Sequence, residues 1–209
     1  MALIVIGGHS RNVGKTSVVA GLIAALPEFH WTAIKITQYG HGICSKNGQS
    51  CACATADHSW AISEEKDRSG KSDTSRFLVA GADSALWVRT QQGHLDEALP
   101  ALQKRIAEKE NVICESNSLL RFIKPDLYLT VLDPGTGDFK SSAREYLQLA
   151  DAVILHQHPG PGAAWRDVPT EAATSIPTFP IYPPPYVTPE ISKFVRSRLP
   201  TRPTSLLSS

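Results

Sequence analysis

The sequence predicts an α/β fold, a mostly parallel sheet flanked by helices. Short apolar runs alternate with helical patterns along the chain, the arrangement of strands buried on both faces and joined through covering helices. The 209 residues are 42% apolar, enough for a core of one-domain size. The first apolar run also passes through a glycine-bearing turn straight into a helix.

Residues 3–6 read as a buried strand ending at Gly7-Gly8. A helix follows from Lys15 to about Leu26, with Val18, Val19, Leu22, Ile23 and Leu26 at helical spacing and Pro27 as its stop. Residues 32–37 form a second strand. Residues 38–72, rich in Gly, Ser, Cys and charge, have little periodicity and read as a long functional loop or mobile segment. A helix resumes at Asp73 or Thr74, turns Phe77 and Leu78 inward and stops at Gly81. Strands are expected at 84–89, 111–114, 127–132 and 152–155. An amphipathic helix is marked by Leu95, Leu99, Leu102 and Ile106, and a short one covers 141–150. The sheet thus has about six or seven strands.

After His158 the composition shifts. Prolines at 159, 161, 169, 177, 180, 183, 184, 185 and 189 argue against regular structure, so 159–187 is expected as extended chain over the core. Thr188 as N-cap with Pro189 at the first helical position opens a last helix to about Leu199. Residues 200–209 read as a frayed tail. The expected organisation is a nucleotide-binding domain at 1–158 with the insert 38–72, then a proline-rich extension at 159–209 packed on the core.

Composition excludes several classes. A formal charge of +1 offers no polyanion or membrane-surface partner, so neither nucleic acid nor membrane is expected. The leading apolar run is too short for a signal peptide, lacks a basic lead and stops at Gly7-Gly8. No segment approaches the roughly 20 apolar residues of a membrane helix. The expected compartment is the reducing cytoplasm, where four cysteines are not structural disulfides.

The strand, the glycines, Gly14-Lys15-Thr16 and the helix together form the context of a phosphate-binding loop. Backbone N–H groups curl around phosphate oxygens, and the helix N-terminus adds a favourable dipole. Lys15 is expected on the β- and γ-phosphates and the Thr16 hydroxyl on Mg²⁺. The whole run Gly8, His9, Ser10, Arg11, Asn12, Val13, Gly14, Lys15, Thr16 and Ser17 is the expected binding loop for ATP or GTP. Five residues separate Gly8 from Gly14, where the common pattern has four, and His9 takes the place of the first glycine.

This wider spacing, ending in Val13-Gly14-Lys15-Thr16, resembles the phosphate loop of dethiobiotin synthetase and places the chain near the SIMIBI branch of P-loop proteins. Three further segments resemble the MobB family, the nucleotide-binding proteins of molybdopterin-guanine dinucleotide biosynthesis. They are Ala33-Ile34-Lys35-Ile36 followed by Tyr39-Gly40-His41-Gly42; Lys71-Ser72-Asp73-Thr74-Ser75-Arg76 leading to Ala80-Gly81-Ala82; and Val112 to Glu115 with Lys124-Pro125-Asp126 downstream. They span roughly residues 3 to 132. Ser116 departs from the glycine usual in that family, and the cysteine-bearing insert and proline-rich extension lie outside its pattern.

Glu115 ends a buried strand, where ligands of open α/β sheets sit, and is a candidate Mg²⁺ ligand. Proteins like dethiobiotin synthetase use a glutamate there. Asp73 is either a plain N-cap or, as the MobB resemblance implies, a contact to Mg²⁺ or the γ-phosphate region. Lys35 inside an apolar strand must be paired or reach the strand end. Cys44, Cys51 and Cys53 are either ligands of Zn²⁺ or an iron–sulfur cluster or incidental thiols; Cys114, His41 and His58 are candidate fourth ligands. Cys114 otherwise reads as a small buried residue. His156-Gln157-His158-Pro159 stands where related GTPases carry a guanine-reading Asn-Lys-x-Asp.

The expected function is Mg²⁺-dependent nucleoside triphosphate binding with hydrolysis or phosphoryl transfer, with Lys15, Glu115 and Asp73 at its centre, in cofactor biosynthesis or metal-centre maturation. The alternatives are an adaptor that holds nucleotide and docks on a partner enzyme of cofactor biosynthesis, and a metal- or cluster-binding switch gated by nucleotide. Homodimerisation is compatible with each.

Overall fold

The computed structural model describes residues 2–39, 59–158 and 176–199. Expectations for 40–58, 159–175 and 200–209 lie outside the described residues. Strand β1 (Ala2–Gly8) is buried along its whole length. Helix α1 (Lys15–Ala25) and strand β2 (Trp31–Tyr39) follow. Next come β3 (Trp60–Glu64), α2 (Asp73–Val79), β4 (Ser84–Gln91), α3 (Leu95–Ile106) and β5 (Asn111–Glu115). The chain continues through β6 (Leu127–Leu132), α4 (Ser141–Leu147), β7 (Ala152–His156), β8 (Thr178–Ile181) and α5 (Pro189–Arg198).

The sheet order is β3-β4-β2-β5-β1-β6-β7-β8. Every pairing is parallel except β3 with β4. Side-chain alternation along β1 sends Ile4 and Ile6 to one face and Leu3 and Val5 to the other. The first face packs on Leu22 and Ile23 of α1, Phe77 of α2 and Ile191 and Val195 of α5. The second packs on Leu95, Leu102 and Ile106 of α3 and Tyr146 of α4. The α/β class read from the sequence is the observed one, with helices on both faces.

Chain order places β2 on one side of β1 and β6 on the other. That reversal opens a crevice at the carboxyl end of β1, the usual ligand position of such sheets. Lys35 stands opposite Glu115 across the β2–β5 pair.

The sheet has eight strands among the described residues, not six or seven. Strand β3 falls inside the segment 38–72 expected to lack regular structure. It is a half-buried edge strand paired on one side, so it carries little of the apolar alternation that marks a strand. Strand β8 falls within the expected extended chain and contains Pro180. Proline is tolerated there because, among the described residues, β8 pairs with β7 alone, and an edge strand leaves one backbone side without ladder bonds. Helix α4 ends at Leu147, short of the expected 150.

Ser72, not Asp73, caps α2, and its hydroxyl accepts the Ser75 N–H at 3.1 Å. Asp73 occupies the first helical position instead. Thr188 caps α5 with Pro189 behind it, as expected. Ile191 and Val195 are fully buried in the core of the first face. Ile191→Ala should therefore destabilise the whole domain by about 2–5 kcal/mol in denaturant unfolding, in a single transition monitored by far-ultraviolet circular dichroism. A separate early transition for α5 would contradict its place in this core.

Candidate functional site

The loop from His9 to Gly14 is held in shape by side chains from three other elements. Gly14 has φ 88°, a left-handed conformation that only glycine adopts without strain. A Cβ there would also lie 2.3 Å from the Tyr186 ring. The Asn117 amide grips Gly8 twice, with Oδ1 accepting the Gly8 N–H at 2.8 Å and Nδ2 donating to the Gly8 carbonyl at 2.8 Å. A Cβ on Gly7 would meet Asn117 Oδ1 at 2.3 Å.

His9 explains the missing first glycine. Its ring is buried. Nε2 accepts the Asp133 N–H at 3.1 Å, so Nδ1 carries the proton and donates to the Asp138 carbonyl at 2.8 Å. Burial lowers its pKa, which keeps this neutral form. Ser10 donates to the Asp138 carboxylate at 2.7 Å. The loop is thus braced against the chain that follows β6.

Lys15 folds back over the loop and donates to the Ser10 carbonyl at 2.5 Å. Burial, only partly offset by Glu115, pulls its pKa down to about 8, with Lys35 and Lys140 pushing the same way. Thr16 donates to Glu115 Oε2 at 2.8 Å. Glu115 is 3% exposed, and its other oxygen accepts from Lys35. Lys35 Nζ also lies 3.0 Å from Asp73 Oδ2 and 3.5 Å from the Thr16 hydroxyl. Burial opposes the charge on Lys35, but Glu115 and Asp73 together raise its pKa. One turn further along α2, Arg76 donates to Ser17 at 3.0 Å.

These groups line a cavity of about 840 Å³ at the carboxyl ends of the strands. Among the described residues, five basic side chains (Arg11, Lys15, Lys35, Arg76 and Lys140) face it with Asp73 and Glu115 in opposition. A chain of almost no net charge therefore concentrates positive charge in one crevice, which suits a polyanionic ligand. A smaller cavity of about 400 Å³ opens between His30, Asp83 and Glu108 and has no such cradle.

Lys15, Thr16, Asp73 and Glu115, singled out in the sequence, are brought together. Lys35 joins them as the paired lysine its apolar strand demanded. Arg11 is exposed on the rim. Cys114 is fully buried, and burial pushes its thiol pKa far up, so it is an inert core residue. Cys44, Cys51, Cys53, His41 and His58 lie outside the described residues. Sequence reasoning gave no role to Asn117, Asp138, Lys140 or Tyr186. Asn117 lies two residues past a strand end that faces the loop, which is a usable signal. Tyr186 is hidden in a proline-rich stretch and has none.

No family profile and no curated protein matches the chain. Solved structures similar to it include HypB from Helicobacter pylori in complex with nickel, at TM-score 0.48 and 14% identity, over 94% of this chain and 84% of that one. MobB from Bacillus subtilis aligns at TM-score 0.42 and 15% identity, over 95% and 99%. LpxK from Aquifex aeolicus in complex with ATP aligns at TM-score 0.47 and 15% identity, over 86% of this chain but only 53% of its own length. The parallel sheet, the strand–loop–helix at its switch point and the left-handed glycine before Lys15 define the protein as having a P-loop nucleotide-binding fold.

Lys15 gives the site a pH signature. A bound phosphate would favour the charged amine, and burial pulls the pKa of that amine in the free protein down to about 8. Triphosphate affinity should be flat below this value and fall by up to about tenfold per unit above it. Calorimetry at about pH 9 in buffers of different ionisation enthalpy should record proton uptake on binding, and Lys15→Arg should abolish that uptake. The unliganded fold should behave oppositely. The unfolded chain holds this proton more tightly, so stability rises between about pH 8 and the ordinary lysine value of 10.5.

Proposed function

We propose that the chain binds a nucleoside triphosphate together with Mg²⁺ and hydrolyses it or transfers its terminal phosphoryl group. The observation that supports this best is the convergence of Thr16, Glu115, Asp73 and Lys35 at the mouth of the loop that holds Lys15. The donor set fits Mg²⁺, since it consists of a hydroxyl and two carboxylates, all hard oxygens. Thr16 and Glu115 would hold the ion, with Asp73 at the adjoining side. When bound there, Mg²⁺ supplies charge neutralisation at the β- and γ-phosphates.

This chain's own residues do the rest. The loop amides and the α1 N-terminus receive the phosphates. Lys15 leaves the Ser10 carbonyl for the phosphate oxygens, which recover the charge that burial suppresses. Lys35 already pairs with Glu115 and Asp73, so both side chains are oriented before any ligand arrives. Phosphoryl transfer needs positioning and charge more than covalent chemistry, and these side chains supply both. The setting we infer, cofactor biosynthesis or metal-centre maturation, rests on the MobB-like segments around Lys35, Asp73 and Glu115.

Two substitutions test this reading. Lys15→Ala should cost about 2–3 kcal/mol of triphosphate affinity, roughly 30- to 150-fold, with no loss of melting temperature. Unchanged affinity would overturn the loop's role. Glu115→Gln should shift the Mg²⁺ titration of turnover to higher concentration while nucleotide affinity without Mg²⁺ changes little. Superimposable titrations would leave Glu115 as Lys35's structural partner only. Tight binding without turnover in the wild type would instead favour the adaptor.

A further inference from the structure

The motif His156-Gln157-His158 takes no part in the reading above, yet it lies at the carboxyl edge of the same sheet. Histidines two apart at a strand end fall on one side of the chain. There they meet Asp133, which follows β6. One donor atom from each of the three side chains lies within 4.8 Å of the other two. His158 Nε2 is 2.5 Å from Asp133 Oδ1, and His156 Nδ1 is 3.9 Å from Oδ2. The two imidazoles stack with centroids 6.3 Å apart.

Three observations separate this cluster from an ordinary surface ion pair. His156 is 6% exposed, and its Nε2 has no hydrogen-bond partner among the described residues. Burial thus holds this ring in place with Nδ1 towards Asp133. Gly135 leaves the space the second imidazole occupies, since a Cβ there would sit 3.0 Å from the His158 ring. Asp133 is fixed by accepting the Gly135 N–H at 2.8 Å.

We propose that Asp133, His156 and His158 form a binding site for one divalent transition-metal ion, Zn²⁺ foremost, with a fourth position open to water or ligand. Two imidazoles and one carboxylate are a donor set for such an ion, whereas Mg²⁺ and Ca²⁺ favour oxygen alone. Tetrahedral bonds of about 2.1 Å place donors about 3.4 Å apart. Small side-chain rotations of His158, the most exposed of the three, and of Asp133 would open the 2.5 Å pair and close the 3.9 Å one to that spacing. The Asp133 N–H bonds to His9 of the phosphate loop, so the ion would sit directly behind that loop. The site requires neither thiols nor nucleotide.

The test uses the tag-free full chain carrying Cys44→Ser, Cys51→Ser and Cys53→Ser, stripped with chelator and free of nucleotide. It is titrated with Co²⁺ and then Zn²⁺. One equivalent of Co²⁺ should give visible d–d absorption with no sulfur-to-cobalt charge-transfer band, and Zn²⁺ should displace it. His158→Ala and Asp133→Asn should each weaken binding by about 100-fold or more, with circular dichroism and melting temperature unchanged for His158→Ala. Failure to bind Co²⁺ would leave Asp133 and His158 as an ion pair, and wild-type affinity in His158→Ala would place the metal elsewhere. Either result overturns the proposal.

Discussion

Glu115 is a carboxylate taken almost wholly out of water at the end of a central strand, and the arrangement of the site follows from how that charge is compensated. Lys35 reaches it from the neighbouring strand, and Thr16 from the first turn of α1. Asp73 on α2 completes the cluster through Lys35. Four elements are thereby held in register at the mouth of the crevice. A buried pair of this kind adds little net stability, but removing one partner strands the other at about 3–5 kcal/mol. The cluster is therefore better understood as fixing geometry than as strengthening the fold.

The phosphate loop is specified in the same way, by contacts from outside itself. Asn117 holds its start, His9 and Ser10 tie its middle to Asp138, and Tyr186 covers its end. A glycine-rich loop would otherwise lose much conformational freedom on binding a ligand. Here that loss is largely met during folding, as preorganised electrostatic sites require.

The sequence made the interior legible and the edges not. Strands β1, β5 and β6 are continuous apolar runs because both of their faces are covered, and α1 and α3 show clean helical spacing. Strands β3 and β8 escaped because an edge strand needs neither apolar alternation nor a full set of N–H donors, so Ser63, Glu64 and Pro180 are admissible there. Lys15, Thr16, Asp73 and Glu115 were legible because their chemistry depends on local position in strand–loop–helix units. Asp138 and Tyr186 act on the loop across long sequence distances and nothing local marks them, while Asn117 is signalled only by its place just past the end of β5. The trio of Asp133, His156 and His158 depends on the adjacency of β6 and β7, which topology creates and spacing does not announce.

The ring of Tyr186 over Gly14 has a consequence for how the protein is made. The loop and α1 are synthesised well before Tyr186, which covers the loop, and before helix α5, which shares a core with α1. The crevice is thus finished only once this later segment has been made, and a growing chain exposes an uncovered loop until then. Completion of the loop's surroundings becomes a later event in the protein's biogenesis than the folding of β1 and α1.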